Sequence, residues 1–319
     1  MKWNETCCVT LGQAQMGRSQ MEGDTVLDLR GVIPAILTPF TEEGQIDEGS
    51  LRREIRYLLD EAGVDGITVA GTTGEGYTLD AGEVRRVSQI AIDEVKGDVP
   101  VVAGIIVNAT STAISYVELL RGLPLAALQV TPVHYLFNPG DDGHVAYFRA
   151  IGDTARLPLI IYNVIPWSNL SVALLARIVR EVKWVRGIKQ SDRDLHKVAD
   201  LVQEVAPAAR IYTAVDDLLY PSFVLGVDGT ISAIPTIVPK LCVELWRAVQ
   251  AGDQAAALDF HRRLLPIWRS VEAPDMPARI KVAVNLQGRS GGYVRSPFQA
   301  PPAEVVAAIR AALEQGQVI

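Results

Sequence analysis

Position 189 holds a lysine inside the apolar run "WVRGIKQS" (184–191). A lysine in a run whose Val and Ile content marks a strand has two readings. Its ammonium reaches solvent or an acid from the strand end, or its amine lies desolvated within the fold. Desolvation disfavours the charged form, lowers the pKa and leaves an amine able to condense with a ketone. Tyr162 stands near the end of the preceding run, "LPLIIYNV" (157–164). A phenol at that depth, one strand away, can carry protons during carbinolamine and imine formation, packing alone being its other role. The segment "GTTGE" (71–75) has a separate logic. Its glycines permit a tight turn that aims N–H groups at an anion, and the hydroxyls of Thr72 and Thr73 add donors suited to a carboxylate. Unless that turn merely caps the next helix, the three features together describe covalent chemistry on a carbonyl acid.

These residues work together only if one architecture brings them to one place. From Gly31 onward, short Val- and Ile-rich runs alternate with longer stretches of helical period, the pattern of parallel strands with crossover helices. Eight runs occur, at 31–39, 65–71, 99–105, 125–132, 157–164, 184–191, 209–215 and 227–233. Between them lie amphipathic stretches such as 47–63 and 80–97. An open doubly wound sheet would bring a glycine fingerprint after its first strand, and "TPFTEEG" is not one. The expected fold is therefore α/β, a (β/α)8 TIM barrel over 28–234, followed by the last barrel helix and a C-terminal helical appendage over 235–319. Three or four helices are expected there, the last within the Pro-started, Ala-rich 300–316. Residues 1–27 show no period and read as an extension, ordered only if it docks. Barrel chemistry sits at the carboxyl ends of the strands, so Thr72, Thr73, Tyr162 and Lys189 would face one pocket.

Composition narrows the partners. The chain has 319 residues, 49% hydrophobic and 21% charged, with a formal net charge of −7, which supports a buried core and argues against a nucleic-acid partner. No apolar run reaches the roughly 18 residues of a membrane span. Cys7, Cys8 and Cys242 form neither a disulfide framework nor a zinc pattern, so a reducing cytoplasm fits and a small molecule is the expected ligand.

In this order and at these strand positions, "GTTGE", "YNV.P" and "GIK" resemble the dihydrodipicolinate synthase and N-acetylneuraminate lyase superfamily of pyruvate-dependent class I aldolases. The likeness runs from about Gly31 to Leu313 and takes in "ILTPF" (36–40), "NAT" (108–110) and "GGYVRSP" (291–297). It implies that Lys189 forms a Schiff base with pyruvate or a related 2-oxo acid and that Tyr162 is the general acid/base beside it. Thr72 and Thr73 would bind the carboxylate, with Thr72 passing protons to Tyr162, and Ile231 would wall the pyruvate methyl. The imine is the electron sink, so no metal or organic cofactor is expected. A strand-four aromatic that reaches across a dimer interface in the synthases implies a homo-oligomer, a dimer of dimers. Here that segment reads "TPVHYLFNP", and either His134 or Tyr135 would take the relay position.

The chain departs from the family's pattern in two places. The synthases carry an arginine a few residues after the strand-five tyrosine, where it binds the carboxylate of aspartate semialdehyde. The corresponding stretch here is "IPWSNLS", with no cation. Losing a bidentate guanidinium removes charge-assisted recognition that neutral groups do not replace, and Trp167 offers a flat apolar surface for a less charged acceptor instead. Val215 stands where the synthases carry a glycine whose carbonyl faces the pocket, and its side chain would narrow the site.

Overall fold

A computed structural model describes residues 27–206 and 208–319. Eight strands, β1 (Gly31–Pro34), β2 (Ile67–Val69), β3 (Val101–Ile105), β4 (Ala127–Val130), β5 (Leu159–Asn163), β6 (Val185–Gln190), β7 (Arg210–Thr213) and β8 (Gly229–Ser232), occupy the eight expected runs. All pair in parallel, in the order β1-β8-β7-β6-β5-β4-β3-β2. The ring closes where the Ile36 N–H donates to the Thr68 carbonyl at 2.9 Å and the Asp65 N–H donates to the Val32 carbonyl at 3.0 Å. This is the expected (β/α)8 barrel.

Local sequence explains the alternation. The helix Ala81–Val95 begins at a capping box in which Asp80 accepts from the Glu83 N–H while the Glu83 side chain accepts from the Asp80 N–H. Val84, Val87, Ser88, Ala91 and Val95, spaced three and four apart, then turn one stripe onto the strands. Ser171 caps the helix Val172–Glu181 by a single bond, its hydroxyl accepting from the Leu174 N–H. The expected helix at 47–63 is Glu48–Arg56 continued by a wider π turn, Tyr57–Ala62, which Gly63 ends at φ 65°.

The core forms two layers. The larger lies between strands and helices. The smaller fills the barrel with Leu27, Leu29, Ile33, Val102, Ala127, Ile160, Tyr212 and Ile231. The expected extension over 1–27 lies outside the described residues except for Leu27, which docks. It is buried inside the barrel, its carbonyl accepts from the Arg210 Nε at 3.3 Å, and the Leu29 carbonyl accepts from the Tyr212 hydroxyl at 2.9 Å. The segment entering β1 therefore helps to fill the barrel interior.

After β8 come five helices rather than three or four: Ile234–Ile237, Pro239–Gln250, Gln254–Val271, Met276–Leu286 and Ala303–Gln315. The one-turn helix Ile234–Ile237 is too short to show a period. Pro239–Gln250 packs on β1, Gln254–Val271 packs on it and on Ala303–Gln315, and Met276–Leu286 returns toward Ile234–Ile237. That return carries Met276 to the carboxyl end of the barrel.

Candidate active site

The pairing of β5 with β6 sets Tyr162 directly beside Lys189. Both are buried. The Lys189 Nζ stands over the Tyr162 ring, 4.1 Å from its centroid. The Tyr162 hydroxyl donates to the Thr72 Oγ1 at 2.9 Å and accepts from the Thr72 N–H at 3.1 Å. Amine, phenol and threonine thus form one connected chain. Burial alone would push the Tyr162 phenol up; the Lys189 charge and the Thr72 hydrogen bonds outweigh it and hold the phenol below its usual value.

Backbone geometry explains the glycines of the threonine turn. The Gly76 N–H donates to the Gly71 carbonyl at 2.9 Å and the Glu75 N–H to the Thr72 carbonyl at 3.0 Å, folding the chain back over Ala70, itself at φ 54°. A Cβ at Gly76 would stand 2.0 Å from the Ala70 carbonyl oxygen, so no side chain fits there. Thr38 fixes the turn from β1's side by donating its hydroxyl to the Gly74 carbonyl at 2.7 Å.

A cavity of about 300 Å³ opens over this group. Thr72, Thr73, Tyr162 and Lys189 all line it, as expected. Sequence reasoning missed Ser191, Asp216, Ser232 and Met276, which line it too. The first three follow from the strand-end rule, since each lies at or just beyond the carboxyl end of β6, β7 or β8. Met276 comes from a helix in the appendage and carries no such signal. Asp216 is buried, and its Oδ1 accepts from the Ala233 N–H at 2.9 Å and the Ile234 N–H at 2.7 Å. Burial pushes its carboxyl up to about 6 against those hydrogen bonds and the Lys189 charge. Among the described residues that line the cavity, Lys189 is the only cation.

The remaining expected residues lie elsewhere. Ile231 is fully buried in the apolar layer inside the barrel and does not line the cavity. Val215 is buried behind it, between the lining residues Ala214 and Asp216, and its carbonyl accepts from the Leu218 N–H at 2.9 Å. Trp167 sits in the short turn Pro166–Ser168, 76% exposed, with its Nε1–H donating to the His134 carbonyl at 2.8 Å. His134 and Tyr135 lie outside the cavity. Both their N–H groups donate to the Asn108 Oδ1, the His134 Nδ1 faces the Pro132 carbonyl at 2.9 Å, and the Tyr135 side chain is 69% exposed. The structure therefore joins Lys189, Tyr162, Thr72 and Thr73 in one pocket, to which the loop after β5 adds Val164, Ile165 and Pro166, and leaves His134, Tyr135 and Trp167 outside its lining.

Barrel and pocket together define a class I aldolase-type lyase. Comparison with known proteins narrows the class: the chain belongs to the dihydrodipicolinate synthetase family, whose profile matches residues 28–316. It is 35% identical over 274 residues to the 4-hydroxy-tetrahydrodipicolinate synthase of Methanopyrus kandleri, covering 85% of this chain and 91% of that protein. The enzyme of the same name from Acidiphilium cryptum is 35% identical, covering 89% of this chain and 97% of that one. Among solved structures, YagE, a prophage protein of the dihydrodipicolinic acid synthase family from E. coli K12 in complex with pyruvate, superposes with a TM-score of 0.86 at 28% identity, covering 91% of this chain and 99% of that one. A monomeric dihydrodipicolinate synthase variant superposes equally well, at 0.86 and 27% identity, covering 91% and 98%.

Proposed function

We propose that this enzyme captures pyruvate or a related 2-oxo acid as an imine on Lys189 and makes or breaks a carbon–carbon bond at C3 of that imine. The observation that carries the reading is the continuous contact from Lys189 through Tyr162 to Thr72 inside one cavity. The neutral Lys189 amine adds to the C2 carbonyl, and Tyr162 gives a proton to the hydroxyl that leaves as water. The resulting iminium draws electrons from C3, so that C3 loses a proton to become an enamine nucleophile, or cleaves in the reverse sense. Thr72 and Thr73 hold the carboxylate, and Thr72 passes protons to and from Tyr162. The imine supplies the electron sink, so this route needs neither metal nor organic cofactor.

The second substrate on this reading carries no carboxylate at its far end. Lys189 is consumed by the imine, and the described residues lining the cavity offer no other cation to hold one. Condensation with aspartate semialdehyde is the second reading, favoured by the synthase names of the relatives. Borohydride reduction in the presence of pyruvate, read by intact mass and peptide mapping, tests the first step. A pyruvate-sized adduct on Lys189 is expected, and none across a panel of 2-oxo acids would overturn the proposal. Aspartate semialdehyde condensation should be weak, and robust turnover would favour the second reading.

We also propose a homodimer that pairs further into a tetramer. Tyr135, Leu136, Phe137 and Trp167 are 69–81% exposed on the rim, an apolar patch suited to a second copy, which would bring a partner's His134 or Tyr135 toward the site. The existence of a monomeric relative means that family membership alone does not decide the assembly. Among the described residues no helix is long and apolar enough to cross a membrane, and with no disulfide framework in the sequence we assign the enzyme to the cytoplasm.

A further inference from the structure

Behind the threonine turn lies a buried ion pair that the chemistry above does not use. Glu75 has no solvent exposure, and its Oε1 accepts from the Lys281 Nζ at 2.5 Å. Its Oε2 accepts from the Arg295 N–H at 3.1 Å, and the Lys281 Nζ also donates to the Tyr293 carbonyl. The Lys281 Nζ and the Arg295 guanidinium both stand over the Phe40 ring, at 4.4 and 4.3 Å from its centroid. Arg295 in turn holds Glu83 through two nitrogens, at 2.6 and 2.9 Å, near Asp80. The C-terminal segment is thereby tied to the turn that ends in Glu75.

Glu75 itself sits at φ 54°, ψ 32°, a left-handed conformation that a residue with a side chain adopts at a cost. The anchor on its carboxylate compensates for that conformation, and the conformation turns the chain so that Thr72 and Thr73 face the cavity. The two threonines are not equally supported. Thr72 has its own fixing through two hydrogen bonds with Tyr162. Thr73 depends on the shape of the turn.

We propose that Glu75 and Lys281 are positioning residues for the carboxylate-binding turn, setting the affinity for the 2-oxo acid while leaving the reaction at Lys189 largely unchanged. The inference rests on the reading of Thr72 and Thr73 as carboxylate donors. Burial lowers the Lys281 ammonium to about 8, against the pull of Glu75 and with a further push from Arg295. Above that pH the charge-assisted bond to Glu75 becomes a weaker neutral one, and the turn loosens.

The test compares wild type with Lys281→Met, Glu75→Gln, their double variant and Thr73→Val, each checked for folding by circular dichroism. Borohydride trapping of pyruvate gives two numbers for each protein: the pyruvate concentration at half-maximal trapping, and the rate at saturation. Lys281→Met, which strands a buried carboxylate, should raise the first about tenfold while changing the second by less than about threefold. Glu75→Gln should have a smaller effect in the same direction, and the double variant should lie closer to wild type than Lys281→Met alone. In wild type the half-maximal concentration should climb as pH passes through about 8, and in Lys281→Met this climb should be absent. Glu75→Gln keeps the side chain's shape and carries the test if Lys281→Met does not fold. Unchanged half-saturation in both single variants, with a raised value in Thr73→Val, would overturn the positioning role and leave the carboxylate reading standing. An unchanged Thr73→Val would remove the carboxylate reading and the inference together.

Discussion

Tyr162→Phe isolates the phenol from everything else in the pocket. The ring stays, so the contact of the Lys189 Nζ with the ring face and the register of β5 on β6 are preserved. What disappears is one oxygen that donates at 2.9 Å and accepts at 3.1 Å, both to Thr72. The Thr72 N–H then loses its partner in a partly buried place, which costs about 1–3 kcal/mol at most and less where water from the cavity replaces it. The chemical loss is larger. A positioned proton carrier contributes about 10²–10⁴-fold, and Tyr162 is suited to that work because the Lys189 charge and Thr72 offset the burial that would otherwise keep its proton fixed. Trapping of pyruvate on Lys189 should therefore slow by about 10²-fold or more at saturation, with the half-saturating concentration shifted by no more than a few-fold, since Thr73 is untouched. Single-turnover borohydride trapping followed by intact mass reads both numbers, and a thermal melt reads the structural cost. A folded variant that traps pyruvate within about threefold of the wild-type rate would refute the role given to the phenol.

Three further outcomes follow from the geometry. Gly76→Ala places a Cβ 2.0 Å from the Ala70 carbonyl oxygen, a backbone atom that cannot step aside, so the variant should lose about 1–3 kcal/mol or more in chemical denaturation and bind pyruvate more weakly; a wild-type midpoint would contradict the packing argument. Asp216 is raised to about 6 from 3.8, so its contribution to stability is full below the unfolded value and is lost as pH rises through the folded one. The whole effect is about 3 kcal/mol, of which roughly 1 kcal/mol falls between about pH 5 and 8, and Asp216→Asn should flatten that part of the stability profile; parallel profiles for the two proteins would argue against a buried, raised carboxyl. Phe137→Glu, at the most exposed point of the rim patch, should shift the protein toward monomer in sedimentation without unfolding it, and an unchanged sedimentation coefficient would remove that patch from the interface.

The sequence displays the proposed imine pair because both members depend on one short-range rule. Strand residues alternate faces with period two, so a lysine and a tyrosine near the ends of neighbouring apolar runs meet whenever those runs pair in register. Ser191, Asp216 and Ser232 also lie at or just beyond the ends of their strands, but a serine or aspartate there is common and marks no chemistry by itself. It also limits what can be transferred from a resemblance. Ile231 keeps its place in the strand, yet it packs inside the barrel and not on the cavity wall. Trp167 keeps its place in the loop, yet its side chain lies largely in solvent with its N–H turned to His134. Features set by packing between distant segments have no local signature at all. Leu27 looks like the end of an aperiodic tail until the barrel interior is seen to need filling. Met276 enters the pocket only because a helix after β8 folds back, and Lys281 finds Glu75 across 206 residues. Barrel strands thus place the proposed reacting groups by rules that operate over a few residues, while the appended helices add Met276 to the pocket wall and Lys281 behind the threonine turn. On the proposed function, a change in that appendage alters which 2-oxo acid binds, and how tightly, with Lys189, Tyr162, Thr72 and Thr73 left in place.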